Sequence, residues 1–472
     1  MRVTTASAAQ PPVARSIFAP AYRSTTSGIL ILVTLLAFEA MAVPAALPTA
    51  ARELHGIGTI GWAFTAFLIA NVVGLVVSGQ VCDARGPRAP MVAGLVAFVA
   101  GLVVSGTAPS MAQLVAGRCV QGLGGGLLIT ATYVVLGAAY PEQLRPRVFA
   151  AMSSAWVVPA LLGPVVAGTL AQHASWRWAF LGLVPFVAVG AMLMVPVLRG
   201  FAAPTGSGRR RLANPRRIVN ALAAAAGVAA LEAAGQHPSA VSVLAALLGA
   251  VALVWGLRTL LPPGTASVRR GVSAPIAMRG LLAGSLFGVE SMVPLTLSVQ
   301  HGFAATAAGL PLVVSGLLWS AGSWWQGRDH ADDGPDRRVR LIRAGFGFVA
   351  VGAALTALVA HPDVPGWLIF PAWGLAGLGA GLSMSSLGVL MLRYTNDADR
   401  GADSAALQLA DTVSSALTTG LAGVLVAAAA RGVLGYAAAF TLLDLAMVAV
   451  AVTGVAVAGR ARAPVLAVQT AI

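Results

Sequence analysis

Gly79 to Met91, GQVCDARGPRAPM, is a short polar stretch wedged between two long apolar runs, and it decides the fold. Gly79 and Gly86 have no Cβ, so backbones can pass closely and a tight turn can form. Asp83, Arg85 and Arg88 add fixed charge at what must be a boundary between oil and water. The runs on either side are about 20 residues long, enough to cross a hydrocarbon core of roughly 30 Å. The stretch therefore reads as a cytoplasmic loop joining two membrane helices.

The rest of the 472-residue chain repeats this arrangement. It is 58% hydrophobic and 10% charged, with a mean hydropathy of +0.83, too apolar for a soluble domain. Runs near 28–50, 59–82, 90–107, 111–138, 148–171 and 178–198 form a first set of six helices. Runs near 276–300, 304–326, 341–360, 366–392, 402–429 and 435–458 form a second set, and two shorter Ala-rich runs near 218–236 and 239–260 lie between them. The expected fold is all-α: a polytopic membrane protein with two pseudo-symmetric six-helix bundles plus two linker helices, about fourteen transmembrane helices. A cytoplasmic tail is expected over 1–27, the N-terminal bundle over 28–198, a basic linker with the two extra helices over 199–275, the C-terminal bundle over 276–459 and a second cytoplasmic tail over 460–472. A spanning barrel would need short alternating strands, which these runs exclude.

A net charge of +14 and a pI near 11.4 raise the question of nucleic acid. All 30 basic residues are arginines, and nearly all fall in alternate loops, leaving Arg52, Arg177 and Arg431 on the other side. That is the positive-inside pattern; it sets both termini inside and argues against a nucleic-acid partner. The same rule reads the segment around Arg258, Arg269, Arg270 and Arg279 as cytoplasmic. The N-terminal segment carries Arg2, Arg15 and Arg23 but no short apolar core with a cleavage site, so it reads as a tail. Cys82 and Cys119 and the six histidines show no ligand spacing, and the chain has no P-loop lysine, so no metal, nucleotide or other cofactor is expected.

Internal similarity points to two related halves. Gly122-Leu123-Gly124-Gly125-Gly126 recurs as Gly377-Leu378-Gly379-Ala380-Gly381, Arg145 as Arg400, and Glu39 with Pro44 as Glu290 with Pro294. Parallel halves with a binding site between them near the midplane are a transporter arrangement.

An ionised carboxylate in the bilayer centre is costly, so the intramembrane acids Glu39, Glu232, Glu290, Asp411 and Asp444 are functional candidates. The competing reading for each is a permanent structural hydrogen bond. Glu39 sits near mid-depth of the first span, and Glu290 holds the corresponding place in the second half. Arg118, inside the fourth run, needs acceptors and can tune a nearby acid. Asp411 and Gln408 are expected to face a central cavity together. The helix carrying them starts near Gly401 and Ala402, and its positive end is expected close to Asp83, a charge–dipole latch across the halves. Gly163, Pro164 and Gly168 are expected to kink the fifth span and make a bendable, closely packed seam. Glu232 reads as solvated, Asp444 as a bonder between helices, and Trp176 and Trp178 as members of an interfacial belt.

Several of these motifs resemble the major facilitator superfamily. Gly79, Asp83, Gly86 and Arg88 match its G-x-x-x-D-x-x-G-x-R loop, and Arg118, Gln121 and Gly122 its R-x-x-Q-G motif. Phe38 to Pro48 is similar to D-x-T-x-V-N-V-A-L-P of the fourteen-span drug:proton antiporter branch, with Glu39 in place of the aspartate. Pro159 to Gly168 resembles the antiporter motif G-x-x-x-G-P-x-x-G-G, with Pro159 and Ala167 replacing glycines. Trp176 to Phe180 with Pro185 resembles W-R-W-x-F-x-x-N-x-P, with Leu183 for the asparagine. The resemblance implies a secondary transporter of the cytoplasmic membrane, a monomer whose partners are a small-molecule substrate, protons and the lipid bilayer. It would export a hydrophobic or amphipathic compound by alternating access, with Glu39 and either Glu290 or Asp411 carrying protons. Uptake or symport of a metabolite by the same fold, and a non-transporting membrane sensor or scaffold, are the other readings. No paired acid and base arrangement points to an enzyme.

Overall fold

The computed structural model describes residues 16–56, 59–200, 214–236, 240–328 and 334–462. Arg2, Arg15, Arg209 to Arg211 and His330 lie outside the described residues, as do the side chains of Pro164 and Glu232. The described residues contain no strand. The first half comprises α1 (Arg23–Glu53), α2 (Ile60–Arg85), α3 (Arg88–Gly106), α4 (Met111–Ala139), α5 (Arg145–Ser154), α6 (Val157–His173), α7 (Trp178–Leu181) and α8 (Val184–Arg199). The linker forms α9 (Pro215–Gln236) and α10 (Ala240–Leu260). The second half comprises α11 (Ser273–Glu290), α12 (Val293–His301), α13 (Ala305–Gln326), α14 (Pro335–Val359), α15 (Ile369–Tyr394), α16 (Arg400–Ala430) and α17 (Tyr436–Val457). Thirteen of the described segments are long and apolar enough to cross a membrane. The Ala-rich α9, opening on Arg216 and Arg217, is not among them, and the fold is the two-bundle, all-α membrane architecture expected.

The stretch at Gly79–Met91 is more helical than its polarity implies. α2 continues to Arg85 and α3 begins at Arg88, so Gly86 and Pro87 alone make the turn. Gly86 ends α2 at φ 79° and ψ 173°, a region essentially reserved for glycine that costs a Cβ-bearing residue about 1–3 kcal/mol. Among the described residues, three spans are interrupted. The fifth breaks at Ala155–Trp156, the sixth at Gly182–Leu183, and the first span of the second half breaks directly after Glu290, where Pro294 opens the next helix without an N–H to give.

Close helix crossings repeat between the halves. A Cβ on Gly122 or Gly126 of α4 would overlap the carbonyls of Phe67 and Asn71 on α2. On α15, Gly377 and Gly381 meet the Ser315 and Trp319 carbonyls of α13 in the same way. Lipid supplies no hydrophobic drive between helices, so backbone contact through small residues holds them together. The repeated glycine motif is thus a repeated crossing.

The linker hairpin lies across the seam between the halves. Ala221, Ala224, Ala225 and Val228 of α9 are buried against Val72 and Val76 of α2 and Leu409 and Val413 of α16. The halves themselves meet most tightly at the arginine-rich end. There Val148, Phe149 and Met152 of α5 share one apolar cluster with Val389, Met391 and Leu392 of α15 and Leu407 and Ala410 of α16.

Candidate functional site

Among the described residues, two ion pairs lie inside the helix bundles, the first buried and the second part-buried. The first joins Glu39 of α1 to Arg118 of α4, with Arg118 Nη1 donating to Glu39 Oε1. The residues are 2% and 4% exposed, so neither charge has water to lean on. The guanidinium is held from several sides: Nη1 also donates to Gln121 Oε1 at 2.9 Å, Nε to the Ala63 carbonyl at 3.3 Å, and its centre lies 4.2 Å from the Phe67 ring. Extra acceptors of this kind offset the desolvation that otherwise makes a buried pair expensive. α6 packs against α1 beside the pair, where a Cβ on Gly163 would come within 3.0 Å of Met41 Cβ. Gly168 does not share that role. Open space surrounds it to 4 Å, so close packing runs through Gly163, and the span breaks upstream instead, at Ala155–Trp156.

The second pair joins Asp411 of α16 to Arg279 of α11, at 2.7 Å from Nε and 2.6 Å from Nη2. Arg279 Nη1 donates to the Met384 carbonyl of α15 at 3.2 Å. This corrects one expectation. Arg279, counted as a loop charge, is one of the buried residues of α11, because an arginine can bury its charge where a carboxylate and a carbonyl meet it. Gln408, three residues before Asp411 on α16, has a buried Oε1 without a hydrogen-bond partner.

Glu290 stands at the break between α11 and α12, half-buried and without a hydrogen bond or ion pair among the described residues. Trp373, at the place matching Arg118, is fully buried with an unbonded indole N–H. Asp444 is buried too, and its Oδ2 has no partner, so the bond between helices expected of it is not made by that oxygen.

At the basic end, the N–H groups of Gly401 and Ala402 donate to Asp83 Oδ1 and Oδ2 at 2.6 and 2.9 Å. One carboxylate of the first half thus caps the N-terminus of α16 in the second. A Cβ on Gly79 would lie 2.7 Å from the Gly401 carbonyl oxygen, so the two backbones touch. Arg88 is exposed at the start of α3. Around this cap, Arg145 donates to the carbonyls of Gly137 at 2.8 Å and Leu392 at 3.4 Å, Arg393 pairs with Glu142 at 3.0 Å, and Gln326 Nε2 donates to the Pro146 carbonyl at 3.2 Å. These contacts bind the halves together at the arginine-rich end.

At the opposite end, Glu53 accepts from Trp176 Nε1 at 2.8 Å and Arg177 Nη1 at 2.5 Å. The Arg177 hydrogen bond holds the Glu53 carboxyl below its ordinary range. Trp176 is wholly buried and belongs to no interfacial belt; Trp178, beside it, is exposed. Glu53 was not singled out in the sequence, although an acid closing the first run opposite a lone outer arginine is a legible cue.

Membrane-spanning helices around charge pairs held inside the bundles, with an acid at a helix break, fit a helical membrane transporter. The family model for the Major Facilitator Superfamily matches residues 29–330. A probable multidrug-efflux transporter of Mycobacterium tuberculosis is 31% identical over 438 residues, covering 85% of this chain and 88% of the relative. An MFS transporter of a Phoma species is 31% identical over 185 residues, 39% of this chain and 31% of its own. Among solved structures, the human organic anion transporter MFSD10 matches with a TM-score of 0.65 at 16% identity, covering 92% of this chain and all of that one. A proton:xylose symporter matches with a TM-score of 0.64 at 14% identity, covering 91% and 94%. The chain belongs to the Major Facilitator Superfamily, and it is a transporter, not an enzyme.

Proposed function

We propose that the protein exports a hydrophobic or amphipathic small molecule in exchange for protons. The observation that carries this is the Glu39–Arg118 pair, a carboxylate and a guanidinium sealed in one half and packed against the span whose sequence resembles the antiporter motif. Protonating Glu39 removes its charge and opens the pair. Arg118 stays charged, because a guanidinium does not give up its proton, yet it keeps Gln121, the Ala63 carbonyl and the Phe67 ring. The pair can therefore part and re-form without stranding the arginine. Each pH unit across the membrane is worth about 1.4 kcal/mol per proton. Glu290, unpaired at the break in the first span of the second half, is the second candidate carrier.

In this reading the arginine-rich end faces the cytoplasm, as the positive-inside rule requires, with both termini inside the cytoplasmic membrane and the protein acting as a monomer. The Asp83 cap and its neighbours then close the cytoplasmic side. The efflux direction is supported by the multidrug-efflux relative, whose name describes that protein. Transport in vesicles with an imposed pH gradient tests the proposal. Parent protein should accumulate a lipophilic probe when the gradient is set and Glu39→Gln should not; a Glu39→Gln protein with full gradient-driven transport would refute the proton role.

A further inference from the structure

Two helix crossings between the halves at the basic end match each other but are fastened differently. At the first, a Cβ on Gly79 of α2 would lie 2.7 Å from the Gly401 carbonyl oxygen and 2.9 Å from the Ala405 Cβ of α16, and Asp83 caps the Gly401 and Ala402 N–H groups. At the second, a Cβ on Gly327, just past the end of α13, would lie 2.9 Å from the Pro146 carbonyl oxygen and 3.0 Å from the Ala150 Cβ of α5. Arg145 and Arg400 correspond in the internal repeat, so Pro146 answers to Gly401 and Ala150 to Ala405. The fastening differs because the sequence does. Gly401 offers an N–H to Asp83, whereas Pro146 at the matching place has none, so a carboxylate there would lose half of that cap. In the same register Ala331 stands in the place of Asp83.

What crosses the second seam instead is an amide. Gln326, the last residue of α13, is fully buried, and its Nε2 donates to the Pro146 carbonyl at 3.2 Å and to the Ser323 carbonyl at 2.9 Å. Its Oε1 accepts from Nη1 of Arg338 on α14, which is itself buried. An arginine only donates, so Arg338 fixes which end of the amide is oxygen and turns both of its N–H groups toward carbonyls. Ser323 and Arg338 belong to the same half as Gln326; Pro146 belongs to the other.

We propose that Gln326 is a neutral latch between the halves, oriented by Arg338, which holds the α13–α5 crossing shut independently of the Asp83 cap on the α2–α16 crossing. The proposal rests on the alternating-access reading but not on proton coupling or on any substrate. When the basic end opens, α5 leaves with Pro146, while Ser323 and Arg338 stay with Gln326 on the second half. The amide then loses one acceptor and keeps its orientation, so it re-forms the same bond when the end closes. Loss of the Asp83 cap leaves this bond intact, because the two fastenings share no residue. The basic end is thereby held by one ionic contact and one neutral one, and weakening either releases only its own share.

The experiment measures the distance between spin labels at Gln143 and Asn396, exposed residues on opposite halves at the basic end, in detergent with no substrate and no gradient. Gln326→Glu keeps the size of the side chain and strengthens its pairing with Arg338, but an ionised carboxylate has no proton to give the Pro146 carbonyl. It should raise the open-to-closed ratio about three- to tenfold, the equilibrium factor of one ordinary hydrogen bond, while thermal unfolding comes no earlier than in the parent. Gln326→Met, of similar shape and without a donor, should shift the ratio the same way and takes its place if the first variant does not fold. Adding Asp83→Asn should multiply the two shifts, since contacts with no shared partner add in free energy. An unchanged distance distribution in either folded Gln326 variant, with or without earlier unfolding, would overturn the latch and leave Gln326 as packing. A double variant no more open than Asp83→Asn alone would overturn its independence from the cap. Failure of gradient-driven transport would leave this result standing, because no proton gradient enters the measurement.

Discussion

Glu39 and Glu290 lie at matching depths, each about 25 Å along its helix, but the two halves treat them differently. The first half gives its acid an arginine from the fourth span; the second has Trp373 at that place and leaves Glu290 unpaired. The glycine crossings, by contrast, are duplicated almost exactly. Packing had to be kept in both halves, because helices in lipid associate only where their backbones can approach. Charge did not, because a buried ion pair contributes little to stability on its own account and is retained where it does something else. The second half places its arginine elsewhere, on α11 near the basic end, and pairs it with Asp411.

The largest test of this contrast is Arg118→Leu. It strands Glu39 among apolar helices and should lower stability by about 3–5 kcal/mol, read by thermal unfolding in detergent. Combining it with Glu39→Gln should recover most of that loss while transport stays absent. If the single variant is as stable as the parent, the first half does not treat its acid as a paired charge at all. Next in size is Asp83→Asn, which weakens the cap on α16. Losing charge-assisted bonds worth about 1.5–3 kcal/mol should shift the basic end toward opening, seen as greater accessibility of a cysteine placed in the seal. Unchanged accessibility would leave the cap without a role in closure.

Glu290→Gln should give a smaller effect and of a different kind. With no ion pair to lose, the variant should unfold no earlier than the parent while its gradient-driven transport falls; a stability loss like that of Arg118→Leu would erase the difference between the halves. The smallest effect belongs to Glu53→Gln at the outer end, where solvent screens a half-exposed pair. Because Glu53 is held below its ordinary value of 4.5, the folded state binds fewer protons there than the unfolded chain. The stability this contributes is present above that value and fades as pH falls through the lowered one. Parent and Glu53→Gln should therefore differ slightly in melting temperature at neutral pH and converge in strong acid.

The amino-acid sequence by itself determined the class of fold, the run of spans and the repeated helix crossings. Length, apolarity and glycine spacing are local properties, and a bilayer leaves a chain with such runs few alternatives to a helical bundle. It also marked Glu39, Arg118 and Asp411 as residues that cannot sit in oil without a reason. Which partner each would find was decided by the tertiary structure alone. Arg279 looked like one more loop arginine and Trp176 like an interfacial anchor, because the sequence carries no record of which faces of distant helices meet. The pairing of a charge depends on a few ångströms of approach between helices hundreds of residues apart, and only the packed bundle sets that distance.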